Sequence, residues 1–465
     1  MTSRKFSQLT NKLEKFAGSS HLRTHTPVHH GTNLFLPRGF DKCFKRDISE
    51  IEGFDNLSKP SGAIKAAEKK AAELFQVEHS FFSVSGASEC IMAACLSLGG
   101  EGKKVLLPRN AHKSVISGAI LAGLTPIWYE PNWNSDWGVY DNLDYEVIEK
   151  LIKANKDVAA CFITSPTYEG IAMEMGEVVS LCHENEIPVI VDESHGANLS
   201  LLEHDLAAIH SCADLVIHSG HKSLGSLTQT AILHFQSEFL SVKKVNAALK
   251  LLQTTSPSYL LLTSLIETIN QLSQSLKPIQ EQHDNSLKLR EKIQNFHGIN
   301  LLPNHDPAKL VFSVDGWSGE QVSQWLQEKY GIESELQNGC FVMLIIGLGV
   351  KFHELRQLEN ALFKLSRTTP EINLQRTPVD EPESFTSSVP PREAFFKEKD
   401  PMIEFNCPPG VPTKFPGMVK KAKPKINNVK PFKKVTKPES PFLEEDFGDD
   451  EEFLQNLDAE LANYA

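Results

Sequence analysis

Three clusters of small and ionisable residues stand out in the first half of the chain: Ser85-Gly86-Ala87-Ser88, Asp192-Glu193-Ser194-His195 and Ser219-Gly220-His221-Lys222. Each follows an apolar run, FFSV, IPVIV and DLVIH respectively. A lone carboxylate at the end of a strand as apolar as IPVIV is costly to bury, so Asp192 calls for a cation or a hydrogen-bond donor. Lys222 offers an amine that becomes reactive where burial or neighbouring cations lower its pKa. The Ser-Gly-Ala-Ser turn leads into the helix-like ECIMAACLSL. Backbone N–H groups at such a helix start, beside residues small enough for close approach, suit a phosphate. His112 opens another helix-like segment after VLLPRNA and presents a flat ring for stacking. Singly these signals are weak, since glycine-serine turns are common and a strand-end lysine is usually a solvated charge. Taken together, with Lys222 about thirty residues after Asp192, they meet the needs of pyridoxal phosphate. The lysine holds its aldehyde as a Schiff base, and the aspartate keeps the ring nitrogen protonated so that the ring withdraws electrons.

Positioning these groups requires a sheet whose strands end on one rim. The segments FFSVSG, KVLLPR, TPIWYE, VAACFITSP, IPVIVDES, DLVIHSG and TAILHF read as strands, most of them separated by helix-length stretches. VAACFI and IPVIV show no polar alternation, as expected of strands covered on both faces. The pattern predicts an α/β fold with a mostly parallel, seven-stranded-type sheet wound with helices, whose ligands collect at the strands' carboxyl ends. PSGAIKAAEKKAAELFQV precedes the first strand as a helix, with Ile64, Ala67, Ala71, Leu74 and Phe75 on one stripe.

The expected organisation is an N-terminal segment (1–60), a large cofactor-binding domain (61–295), a small α/β domain (296–370), a short C-terminal region (371–420) and a charged tail (421–465). In the small domain KLVFSV and FVMLIIG are strands, each followed by a helix, from about Ser318 and about Lys351. The tail is lysine-rich over Val419–Lys437 and strongly acidic thereafter, which predicts disorder. Phe453, Leu454, Leu457 and Leu461 could form a short apolar face within it, although a solvated tail is the simpler reading.

With 465 residues, 40% apolar and 23% charged, the chain suits a soluble globular protein with a large core. No run approaches the roughly 18 apolar residues of a membrane span. The first residues, MTSRKFSQLTNKLEKF, lack the apolar stretch of a signal peptide. Eight cysteines without C-x-x-C spacing, several within apolar segments, read as reduced core thiols of a cytoplasmic protein. A net charge of −12 argues against general nucleic-acid binding. His25, His29 and His30 suggest a metal site only weakly, because Pro27 breaks a helical pairing of their side chains, and no metal is expected.

Beyond these local signals, EIEGFDNLSKPSGAIK, LPRNAHKS, SPTYEG, VDESHGA, HSGHKSLGSLTQ and LQTTSPSYLLL resemble the ornithine/lysine/arginine decarboxylases of the fold-type I, pyridoxal-phosphate-dependent class. The resemblance covers about residues 21–370 and returns in PPREAFF and CPPGVPTKFPG. It implies Lys222 as the Schiff-base lysine, Asp192 as partner of the ring nitrogen and His112 as the stacking ring. Ser88, with the Gly86–Ala87 backbone, Ser219 and His221, would hold the phosphate; Ser194 would adjoin the cofactor. His195 would line the cofactor face near the substrate, and His221 or Lys222 would donate the proton that completes the reaction. Thr254, Thr255 and Ser256 would approach a neighbouring subunit's site, making a homodimer the minimum active unit, with no nucleic acid or membrane partner. Glu169, Glu52 and Asp55 are candidate partners for a distal substrate cation. The implied activity is decarboxylation of arginine, lysine or ornithine, arginine first, within polyamine metabolism.

The chain also departs from the family pattern. The usual H-M-P-G-H-K reads His25-Thr26-Pro27-Val28-His29-His30, the phosphate turn has lost one hydroxyl, and Ser194 stands for an alanine. Two other readings therefore stay open: aminotransferase or carbon–carbon lyase chemistry with the same cofactor, and a non-catalytic regulatory protein that binds it.

Overall fold

The computed structural model describes residues 5–20, 22–370, 379–382, 385–387, 389–398 and 401–420; the tail expected over 421–465 lies outside the described residues. Seven strands form the main sheet: β1 (His79–Ser83), β2 (Lys104–Pro108), β3 (Thr125–Tyr129), β4 (Val158–Thr164), β5 (Val189–Asp192), β6 (Leu215–Ser219) and β7 (Ala231–Phe235). Their order is β1-β7-β6-β5-β4-β2-β3. Only β7 runs against its neighbours, β1 and β6; the remaining pairs are parallel. The expected α/β architecture is thus present.

Covering both faces explains the unbroken apolar runs. Side chains alternate along a strand, so Val189 and Val191 enter one core with Phe82, Cys161 and Val216. Ile190 enters the opposite core with Phe162, Leu215 and Ile217. Helix Ala63–Phe75 contributes Ile64, Ala71 and Phe75 to the first core and helix Ala87–Leu98 contributes Ile91 and Cys95 to the second. The former begins three residues after Pro60, and Asp55 caps it by accepting from the amides of Ser61, Gly62 and Ile64 at 2.8–2.9 Å.

A chain of buried polar side chains runs from the residue after β5 across β6 and β7 to β1 within this apolar surround. Glu193 Oε2 pairs with His218 Nε2 at 2.8 Å, His218 Nδ1 with His234 Nε2 at 3.1 Å, and His234 Nδ1 with Ser80 Oγ at 2.9 Å. All four residues are at most 2% exposed. One proton arrangement satisfies every contact with neutral rings: Ser80 donates to His234, His234 to His218, and His218 to the carboxylate. Burial, together with His218, holds the His234 pKa well below the ordinary histidine value, in keeping with a neutral ring.

A second, antiparallel sheet contains β8 (Ile299–Leu301), β9 (Lys309–Val314), β10 (Leu336–Gln337) and β11 (Val342–Ile345) in the order β8-β9-β11-β10. Helices Gly319–Tyr330 and Phe352–Ser366 cover it, with Ser318 and Lys351 as their N-caps. Helices Val242–Leu252, Tyr259–Leu272 and Lys277–Ile293 occupy the intervening chain. Beyond residue 379, two short ribbons (Phe385–Ser387 with Met418–Lys420, Glu404–Phe405 with Pro412–Lys414) and helix Pro391–Lys397 fold back onto the large sheet. There Phe385 and Phe415 pack on Ile116, Ile120 and Trp128. All eight cysteines are free thiols. Among the described residues no helix is long and apolar enough to cross a membrane.

Removing the acceptor at one end of the polar chain strands several donors. Glu193→Ala leaves the Ala208 amide, the Ser200 hydroxyl and the His218 N–H without it. The expected loss is about 3 kcal/mol, the scale for breaking a buried charged hydrogen-bond network, read as a fall in the denaturant midpoint.

Candidate active site

Because β7 is antiparallel to both neighbours, β1 and β6 point the same way, as does β5. Their carboxyl ends therefore share a rim, and the three sequence clusters meet there. Gly86, Ala87, Ser88, His112, Asp192, Ser194, His195, Ser219, His221 and Lys222 all line one cavity of about 780 Å³. Glu169 also borders it, whereas Glu52 and Asp55 do not. Thr254–Ser256 are exposed in the connection between two helices, with the Ser256 amide donating to Thr254 Oγ1 at 3.2 Å, and do not line this chain's cavity.

Each wall follows from local structure. Gly86, at φ +83°, is the N-cap of helix Ala87–Leu98, and no side chain caps this helix start. Its first amides thus remain available to an anion. At the end of β5, Asp192 Oδ1 accepts from the Ser194 amide at 3.2 Å and from its hydroxyl at 2.5 Å. Both bonds hold the carboxylate in place at the end of the strand. His112 is itself an N-cap, its Nδ1 accepting from the Ser114 amide at 3.2 Å. Its pKa is lowered by burial, with Lys222 adding to the effect and Asp192 opposing it. Ser219 Oγ and His221 Nδ1 lie 3.2 Å apart beside the lysine.

Lys222 is open to the cavity, yet surrounding protein displaces bulk water from its amine. This desolvation lowers its pKa, while Asp192 acts in the other direction. Its Nζ lies 2.9 Å from His195 Nε2. The Tyr168 ring meets His195 edge-on, with centroids 4.7 Å apart, and Tyr168 Oη donates to Glu335.

Two parts of the site escaped sequence reasoning. Lys309, the first residue of β9, is 4% exposed and its Nζ reaches His195 Nδ1 at 2.8 Å. Its only sequence signal was a lysine beginning an otherwise apolar strand. The other is the segment Asn406–Pro409 with Val411, which walls the cavity from almost two hundred residues beyond Lys222. Gly410 holds this wall in place, its carbonyl accepting from the Lys113 amide at 2.8 Å. A side chain there would meet the His112 ring at 2.5–2.6 Å. CPPGVP was legible as a motif, but its contact with His112 is a tertiary fact.

Comparison with known proteins decides the family. Residues 7–311 match the Orn/Lys/Arg decarboxylase major domain. This chain belongs to the Orn/Lys/Arg decarboxylase family. Similar members include an arginine decarboxylase of Halalkalibacterium halodurans, 33% identical, with 82% of this chain and 83% of that protein covered. An arginine decarboxylase of Bacillus subtilis is 32% identical, with 88% and 90% covered. The lysine decarboxylase LdcF of Francisella novicida shares the fold at a TM-score of 0.70 and 18% identity, over 89% of this chain and 75% of that one. The chain is thus a decarboxylase of this family, in which pyridoxal phosphate serves basic amino acids, and the family resemblance read from its motifs is correct.

Gly410 lies at φ +84°, a conformation disfavoured for residues with a Cβ, so Gly410→Val strains the backbone as well as striking His112. Hydrogen exchange across 404–415 is expected to accelerate about tenfold or more, corresponding to at least 1.4 kcal/mol of lost local stability.

Proposed function

We propose that the chain decarboxylates a basic amino acid, arginine ahead of lysine and ornithine, with pyridoxal phosphate held in the cavity at the carboxyl rim of the main sheet. The observation that carries this reading is that Asp192, Lys222 and an uncapped helix start open onto one space. The residues fit the cofactor. The cavity matches the size of ordinary cofactor sites, and Asn110, in its lining, has a buried Oδ1 without a hydrogen-bond partner. Bound there, pyridoxal phosphate supplies an aldehyde that condenses with amines and a ring that accepts electrons from a breaking bond.

The chain's own groups divide the work. The Gly86–Ser88 turn, with Ser219 and His221, holds the phosphate, and His112 supplies the stacking surface. Asp192, fixed by Ser194, places a negative charge where the ring nitrogen is to remain protonated. Lys222 is the amine that would hold the cofactor's aldehyde, and His195 faces that amine at 2.9 Å. Lys222 or His221 returns a proton to the product. Desolvation by the cavity walls favours loss of the anionic carboxylate as neutral CO₂. Burial raises the Glu169 pKa, so a guanidinium or ammonium arriving beside it would favour its ionised form and be bound in turn. We assign the 61–295 and 296–370 segments as the cofactor-binding and small domains, a cytoplasmic location and a homodimer as the working form.

Incubation with carboxyl-labelled arginine, lysine and ornithine, with trapping of CO₂, tests the reading. Release should be fastest from arginine, and Lys222→Ala should abolish both the visible cofactor band and activity, by at least about a thousand-fold. Product retaining the carboxyl label, with the cofactor bound, would instead favour transamination or carbon–carbon cleavage.

A further inference from the structure

The turn that brings Tyr168 and Glu169 to the cavity is closed on itself and gripped from behind by the small domain. The Thr167 carbonyl accepts from the Gly170 amide at 3.0 Å, and the Thr167 amide donates to the Ile171 carbonyl at 2.8 Å. The carbonyls of the next three residues all accept from residues 304–309, the loop before β9 and its first residue. Lys309 Nζ donates to that of Tyr168 at 2.6 Å and Asn304 Nδ2 to that of Glu169 at 2.6 Å. The amides of His305 and Asp306 donate to that of Gly170 at 2.9 and 3.0 Å. A further bond runs from the Ala172 amide to His305 Nδ1 at 3.1 Å. Gly170, at φ +89°, permits this approach, since a Cβ there would meet Asp306, Asn304 and Lys309 at 3.1–3.2 Å. The turn's backbone is thus committed to the small domain, while residues 168 and 169 border the cavity.

A substrate with a charged side chain needs a counter-charge, and elimination leaves one. Among the described residues two carboxylates line the cavity, Asp192 and Glu169, and the proposed function assigns Asp192 to the ring nitrogen. Asp306 is 2% exposed and accepts from the Ala308 amide and from Asn198. Glu335 accepts from Tyr168 Oη and does not line the cavity. Lys309 exerts its charge on Glu169, but its Nζ is bonded to the Tyr168 carbonyl and lies 2.8 Å from His195 Nδ1. A carboxylate shielded from bulk water gains more from an arriving guanidinium or ammonium than a solvated one does.

We infer that the small domain sets substrate choice: residues 304–309 fix the Thr167–Gly170 turn so that Glu169 accepts the substrate's distal cation, with Asn304 as a positioning residue. This deepens the proposed function and rests on its placing the substrate in this cavity. Asn304 acts through the Glu169 backbone alone, and its Nδ2 also donates to the Lys309 carbonyl at 2.9 Å, which anchors it to β9.

The test compares arginine with citrulline, whose neutral ureido group replaces the guanidinium, on the full-length chain. Calorimetry gives the Kd of each for protein cleared of aldehyde with hydroxylamine, where neither turns over; CO₂ release gives kcat and KM for arginine in the holoenzyme. Glu169→Gln, which keeps the shape and removes the charge, should weaken arginine binding about ten- to a hundredfold and leave citrulline within about threefold. Asn304→Ala should cut the preference for arginine over citrulline by about fivefold and raise KM, with kcat kept within about twofold. A merely structural role for Asn304 would weaken both compounds alike. The inference is overturned by unchanged discrimination in Glu169→Gln, by an Asn304→Ala loss that both compounds share, or by an unaltered chain that does not prefer arginine. Should Asn304→Ala fail to fold, Gly170→Ala, which pushes the turn away from residues 304–309, should show the same fall in preference. CO₂ release from arginine that ignores Glu169 would sink this inference alone. Glu169-dependent binding of arginine without CO₂ release would instead sink decarboxylation and leave the subsite standing.

Discussion

The structure turns on holding a carboxylate and an amine on neighbouring strand ends, away from bulk water, without letting them neutralise each other. Asp192 closes β5 and Lys222 follows the adjacent β6, yet their hydrogen bonds go elsewhere: Asp192 accepts from Ser194, and Lys222 faces His195. In a low-dielectric setting two such groups would otherwise collapse into an ion pair of no chemical use. The short local bonds within the loop after β5 keep the aspartate in place, and the imidazole keeps the lysine apart from it. A parallel sheet makes this possible, because several strands deliver different loops to one rim.

The opposite side of the same loop ties the rim to the sheet behind it. Glu193, next to Asp192, turns to the other face of the sheet and anchors the run through His218 and His234 to Ser80. His218 in turn adjoins Ser219, so the two site loops on β5 and β6 are tied by a buried hydrogen bond immediately behind the cavity. Strand alternation thus gives consecutive residues opposite duties, one facing the ligand and the next facing the core.

Much of this was legible in the sequence. VAACFI and IPVIV announced strands buried on both faces, and the polar groups following FFSV, IPVIV and DLVIH marked a common rim. What escaped depended on contacts between distant segments. Nothing in KLVFSV says that its lysine turns inward towards a histidine more than one hundred residues earlier; long-range packing alone decides that. Asp55 shows the converse, a carboxylate in a distinctive motif that serves as a helix cap, with four amides around it and no place in the cavity. His29, one of three histidines suggestive of a metal, likewise pairs with Asp47 at 3.1 Å.

The wall formed by Asn406–Pro409 and Val411 gives the molecule an order of completion. Every strand of the main sheet is in place by Phe235, but the pocket stays open on one flank until a stretch some 170 residues later returns to lie across His112. A nascent polypeptide leaving the ribosome would therefore possess its chemical groups well before it possessed an enclosure for them. Shelter from water, and with it the environment that turns an ordinary lysine into a useful one, thus depends on residues translated long after the lysine itself.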